Sequence, residues 1–229
     1  MLESIKDDKE FVLKTMAGLT LNELGIKNDH VLFDYKYTAI NPMPNLYFTR
    51  DPFSTIGKGV SINTMYSVTR SRETIYADYI FNYHKDYKGT KNYYGRGKKY
   101  HIEGGDTFNG NETTLLIGIS QRTQYEAIKV LAKKLFFGEN ENKIEKIYAL
   151  KIDENRAFMH LDTVFTQIDY DAFTYHPAII KEMEVKIITK DEANNDLHIE
   201  TASGKLDEIL AGQKMEPRYM EYNWRDIVH

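Results

Sequence analysis

Residues 113–152 read TTLLIGISQRTQYEAIKVLAKKLFFGENENKIEKIYALKI, and this stretch decides the fold class. Thr113–Ile119 is a short β-rich apolar run, as a buried strand requires. Tyr125, Ile128, Leu131, Ala132 and Leu135 then recur at helical spacing and mark one face of a helix that closes near Gly138. Ile144–Ile152 is again strand-like. Strand, helix and strand in succession predict an α/β or α+β protein.

The same alternation extends outward. Upstream, Asn45–Phe48 and Gly59–Met65 have the pattern of strands around a turn at Gly57, and residues 72–84 that of a helix. Residues 2–19 form a short amphipathic pattern carried by Leu2, Ile5, Phe11, Val12 and Met16. Val31–Tyr37 is a candidate strand, and NPMP at 41–44 forces an extended stretch, because each proline disfavours helix in the residue before it. Downstream, Val164–Ile168 and Val185–Thr189 are strand-like and residues 191–196 a loop. The tail carries no clear element, and no internal repeat is visible.

Composition removes several classes of function. The 229 residues carry 30 basic and 34 acidic side chains, a formal net charge of −4. A general binder of nucleic acid or membrane surfaces would carry a basic excess, so neither partner is expected. Mean hydropathy is −0.54, and no apolar run is long enough to span a membrane. The opening MLESIKDDKEFVLK does not pair a basic stretch with an apolar one, so no signal peptide is expected there. There is no cysteine, which excludes disulfides, thiolate metal sites and a cysteine nucleophile from these residues.

Four clusters can carry chemistry. Asp51 precedes a proline, which holds it extended with its carboxylate free; the alternative is a turn with Arg50 paired nearby. In His101-Ile-Glu103-Gly-Gly-Asp106 the glycines permit close backbone approach, although a hairpin turn with a solvated acid at each shoulder is the commoner use of such a pair. In Met159-His160-Leu-Asp162-Thr163 a strand would put His160 and Asp162 on one face, where the carboxylate favours the imidazolium. Arg70 and Arg122 could each fork onto a ligand carboxylate, whereas Arg72 and Arg156 suit surface ion pairs. Carboxylates, one histidine and two arginines together suit a ligand cationic at one end and anionic at the other, such as an amino acid with a guanidinium. Metal-assisted hydrolysis using His160, Asp162, Asp51 and Glu103 also fits the residue types.

MPNLYFTRDPF (43–53), RSRET (70–74), HIEGGD (101–106), GISQRT (118–123) and MHLDT (159–163) together resemble arginine deiminase. That resemblance implies an α/β fold, an incomplete five-bladed α/β-propeller (the pentein fold) preceded by the end of a helical insertion. It divides the chain into an insertion remnant at 1–27, a partial propeller at 28–212 and a divergent tail at 213–229. Carried over by motif, Asp51 and Asp162 would clamp a guanidinium, with Asn45 and Phe48 lining the pocket. Glu103 and His160 would transfer protons and activate water, and Arg70 and Arg122 would bind the α-carboxylate of L-arginine. The family is cytoplasmic and uses no metal or organic cofactor; its nucleophile is a cysteine in a Gly-rich segment near the C-terminus. A chain without cysteine is therefore expected to be a truncated, inactive pseudoenzyme. Two further expectations are assembly with a complementary C-terminal chain that carries the cysteine, and a non-catalytic arginine binder.

Overall fold

The computed structural model describes residues 2–26, 38–139, 142–153, 158–169, 172–176, 183–204, 206–211 and 218–221. The candidate strand at 31–37 and Arg156 lie outside them. The N-terminal part holds helix α1 (Asp8–Ala17) and a two-stranded pairing of β1 (Leu19–Thr20) with β2 (Thr38–Ile40). The Asp7 side chain caps α1 by accepting the Glu10 N–H. None of the residues of α1 is buried, so its expected apolar stripe faces outward in part: Phe11, Val12 and Leu13 are exposed.

Beyond this lies a plan that the sequence does not display as a repeat. The first unit is β3 (Phe53–Ile56), β4 (Gly59–Ile62), α2 (Thr74–Tyr83) and β5 (Asn92–Tyr94); β3 and β4 are antiparallel, and β5 returns parallel to β4. In the second, β6 (Thr107–Asn109) and β7 (Thr114–Ile119) are antiparallel, α3 (Tyr125–Phe137) crosses over, and β8 (Lys146–Lys151) runs parallel to β7. In the third, β9 (Phe165–Gln167) and β10 (Ala172–Tyr175) are antiparallel. The chain then makes the hairpin β11 (Met183–Asp191) and β12 (Asp196–Gly204), passes through α4 (Leu206–Ala211), and returns as β13 (Arg218–Glu221) parallel to β10. The β11–β12 hairpin extends the second unit into a five-stranded sheet ordered β12-β11-β8-β7-β6.

In each unit the first strand is an edge: β3, β6 and β9 each end their sheet. Residues of all three line one open depression of ≈ 840 Å³, among them Ser54, Thr107 and Gln167. The middle sheet is covered on both sides. Leu115 and Ile117 of β7 pack with Ile128, Leu131 and Leu135 of α3, while Leu116 on the opposite face packs with Phe165 and Phe173 of the third unit. This is the alternation of a strand buried on both faces, and it explains the unbroken apolar run at 114–119.

Three expectations are corrected. Asn45–Phe48 is a turn, closed by the Phe48 N–H donating to the Asn45 carbonyl, because the adjacent Met43-Pro44 and Asp51-Pro52 leave no ladder to join. The strand at Gly59 stops at Ile62. The tail is not featureless, since Arg218–Glu221 forms β13. The loop at 191–196 is as expected, the tight turn of the β11–β12 hairpin, with Asn195 in the left-handed region.

Candidate active site

Each unit delivers its chemistry from the same place, the segment just before its first strand. Asp51 precedes β3, Glu103-Gly104-Gly105-Asp106 precedes β6, and His160-Leu161-Asp162 precedes β9. The topology thus brings together three segments far apart in sequence. The Gly104 N–H donates to the Asp51 carbonyl at 3.1 Å, and a Cβ on Gly104 would lie 2.0 Å from the Arg50 carbonyl oxygen. A Cβ on Gly105 would lie 2.7 Å from the His160 ring. Both glycines are therefore used for close approach, and neither has a positive φ.

Glu103 and Asp106 are fully buried, which rules out the solvated hairpin shoulders weighed above. His160 is not in a strand either. It is extended and caps a 3-10 turn, Leu161–Thr163, so the strand alternation proposed for His160 and Asp162 does not operate. The His160 Nε2–H donates to Glu103 Oε2 at 2.8 Å, and its Nδ1 lies 4.0 Å from Asp51 Oδ1. Burial pulls the imidazole pKa down, but the Glu103 bond and the charges of Asp106, Glu103 and Asp51 outweigh it and raise it overall. Burial pushes the Glu103 carboxyl up; the His160 bond and charge, the Tyr66 N–H and the Arg122 charge reverse that and hold it below its usual value. Both shifts favour an imidazolium paired with a carboxylate.

The arginines are engaged inside the protein. Arg70 Nη1 donates to Asp51 Oδ2 at 2.6 Å, Nε donates to Glu73 Oε2 at 2.9 Å, and Nη2 reaches the carbonyls of Asn45 and Phe48. Asn45 and Phe48 themselves are exposed beside it, Phe48 with its ring 6.0 Å from the guanidinium carbon. Arg122 Nη1 lies 3.6 Å from Glu103 Oε2. Asp162 stands 3.5 Å from Arg50 Nε; burial raises its carboxyl pKa, against the charges of His160 and Arg50. Arg72 donates to the Thr15 carbonyl instead of joining a surface ion pair.

All eight residues picked out in the sequence thus surround one locus. Glu73 was not picked out, although it was legible as the i+3 partner of Arg70. Asp106 and Arg50 were noted beside Glu103 and Asp51 but given no role, because they act across units. The broad depression lies beside this cluster, bounded by Arg50 and Gly104, rather than over His160. Oxygen and nitrogen atoms of Asp51, Glu103 and His160 lie within 4.8 Å of one another and offer three ligands for a metal ion. Each carboxylate already faces an arginine, and Glu103 is bonded to the His160 ring, so the donor set is poorly suited to a cation.

The arginine deiminase family model matches residues 1–220. The chain belongs to the arginine deiminase family. The relatives include arginine deiminases of Treponema denticola, 49% identical over 214 residues (91% of this chain, 52% of that protein), and of Streptococcus agalactiae serotype V, 46% identical over 220 residues (92% and 52%). The chain spans about half the length of these curated relatives. Two solved structures share its fold. Unliganded AgrE matches with a TM-score of 0.53 at 21% identity, over 80% of this chain and 22% of that one. An adduct of dimethylarginine dimethylaminohydrolase with S-methyl-L-thiocitrulline matches with a TM-score of 0.50 at 14% identity, over 80% and 56%. The five motifs quoted from 43–163 lie within the matched residues, and the mixed α/β fold expected from them is the one observed. Among the described residues no helix is long and apolar enough to cross a membrane.

Proposed function

We propose that this chain forms the guanidinium-binding and proton-transfer part of an arginine deiminase and is inactive by itself. The observation that carries the reading is the convergence of Asp51, Glu103 and His160, from three different units, in a sequence without cysteine. L-Arginine is the substrate, with its guanidinium between Asp51 and Asp162 and its α-carboxylate at Arg70 and Arg122. Binding displaces internal guanidinium partners: the substrate takes up the Asp51 carboxylate that Arg70 now holds, and this releases Arg70 to fork onto the substrate carboxylate. Glu103 and His160 then move protons to the departing ammonia and from the attacking water.

The attack on the guanidinium carbon needs a thiolate. A serine or threonine hydroxyl without a base is no substitute, and losing a nucleophile lowers the rate by a factor on the order of 10⁶ in a comparable covalent mechanism. The three ββαβ-like units are read as three blades of an incomplete five-bladed propeller, with residues 1–27 the end of a helical insertion, 28–212 the partial propeller and 213–229 a divergent tail. The site works without metal or organic cofactor, and the protein is cytoplasmic. Purified chain incubated with arginine is expected to form no citrulline; turnover at enzyme-like rates would overturn the reading.

A second reading, complementation by a separate chain that carries the cysteine, is favoured by one feature. The edge strands β3, β6 and β9 face an open depression in which the buried hydroxyls of Ser54 and Thr107 have no partner among the described residues. Co-expression with such a chain, followed by a citrulline assay, tests this extension of the first reading.

A further inference from the structure

Asp106 belongs to no role assigned above, yet it is fully buried at the centre of its contacts, as Glu103 is. Its Oδ1 accepts the Leu161 N–H at 2.7 Å, and its Oδ2 accepts the hydroxyls of Ser120 at 2.7 Å and Thr123 at 2.6 Å. The direction of the two hydroxyl bonds follows from their other partners. Ser120 Oγ already accepts the N–H groups of Arg122 and Thr123, at 3.0 and 3.1 Å. Thr123 Oγ1 accepts the Glu103 N–H at 3.1 Å. Each hydroxyl has one proton, and it points at Asp106.

We propose that Asp106 is the positioning residue of this site: one buried carboxylate that fixes the backbone of Glu103, of Arg122 and of the His160–Asp162 turn relative to one another. The proposal deepens the deiminase reading, because those four side chains are the ones to which that reading gives roles. Three donors from two segments converge on its two oxygens, so an amide of the same shape cannot take its place. In Asp106→Asn, the amide nitrogen would face either the Leu161 N–H or the two hydroxyl protons, and in both orientations donor meets donor. The fold also reserves the space. A Cβ on Gly118 of β7 would lie 2.5 Å from Asp106 Oδ1 and 2.9 Å from Leu161 Cβ, although Gly118 sits in ordinary strand conformation.

The test uses the purified chain and needs no turnover. The His160 ring is followed by NMR as a function of pH, assigned by its loss in His160→Gln, together with the amides of Glu103, Arg122 and Leu161. The charges around the ring are Asp51, Glu103, Asp106 and Asp162, with Arg50, Arg70 and Arg122 behind them. Asp106→Asn is expected to move the midpoint of the ring titration down by about one pH unit and to shift all three amides. Ser120→Ala removes a single arm and is expected to shift Arg122 while leaving Leu161 in place; it keeps the test open if the asparagine variant does not fold. An unchanged His160 titration and unmoved amides in a folded Asp106→Asn, or an unmoved Arg122 in Ser120→Ala, would overturn the proposal. Neither result bears on whether arginine is the substrate. That question is answered by arginine calorimetry on the unaltered chain, where absence of heat would count against the deiminase reading and leave Asp106 untouched.

Discussion

Arg70 and Asp51 form a buried ion pair, 2.6 Å between Nη1 and Oδ2, on the wall of the candidate site. The residue assigned to the substrate carboxylate is thus bonded to the residue assigned to the substrate guanidinium. Glu73, which is also buried, holds the other edge of Arg70 at 2.8 Å. Burial works against the guanidinium, but the Glu73 and Asp51 bonds raise its pKa overall. The Arg70 charge is therefore met by two carboxylates of its own chain.

Removing one partner should be felt as stability as well as binding. Asp51→Ala leaves Arg70 with Glu73 as its one carboxylate partner, so the loss should be about 1–3 kcal/mol, the range for a buried polar group deprived of one partner. That corresponds to a fall in Tm of a few degrees for a domain of this size. Thermal denaturation of the two proteins checks it, and an unchanged Tm would mean that the pair contributes nothing.

Gly105→Ala should act on His160 alone. The added Cβ would lie 2.7 Å from His160 Cγ and Nδ1, and Gly105 has no positive φ, so the contact and not backbone strain sets the effect. A loss of about 1–3 kcal/mol is expected from such overpacking, with a changed His160 ring environment by NMR. Retained stability with an unmoved ring would refute the close approach.

The pH dependence has a definite sign. His160 has a raised pKa in the fold, so its contribution is full below its ordinary 6.5 and is lost as pH rises through the higher folded value. Asp106, pushed up to about 6 by burial, contributes below its ordinary 3.8 and loses that contribution as pH rises through about 6; Asp162 acts in the same direction. Glu103, with its pKa lowered, opposes them only in acid, its contribution being lost as pH falls below 4.5. The chain should therefore melt higher at pH 5 than at pH 8. Calorimetric scans at the two pH values measure this, and the opposite order would contradict it.

The two faces of α3 should differ sharply. Leu131 is fully buried against β7 and β8, and Val130 next to it is partly exposed. Leu131→Ala should be destabilising by about 2–5 kcal/mol, and Val130→Ala by about 0.5 kcal/mol or less. Denaturant midpoints compare them, and equal effects would place the helix the wrong way round.

What the sequence made legible was local. The α3 face and the strands at 113–119 and 144–152 follow from periodicity, and the identities of Asp51, Glu103, His160 and Asp162 follow from short motifs. What was illegible depends on distant pairing. The repeated unit is hidden because its three versions share topology without sharing residues, and β13 was unreadable because it exists only as a parallel partner of β10. The burial of Glu103 and Asp106 was missed for the same reason. A Gly-Gly turn is solvated unless another unit covers it, and here the His160 segment does so.

The proposed deiminase site is complete in all but its nucleophile. Its most direct test is a citrulline assay on the chain co-purified with a second chain that supplies the remaining length of an arginine deiminase, cysteine included. The account predicts citrulline from that pair, none from either chain alone, and none when the first chain carries His160→Ala. A stable pair that stays at background, or turnover by the first chain alone, would contradict it.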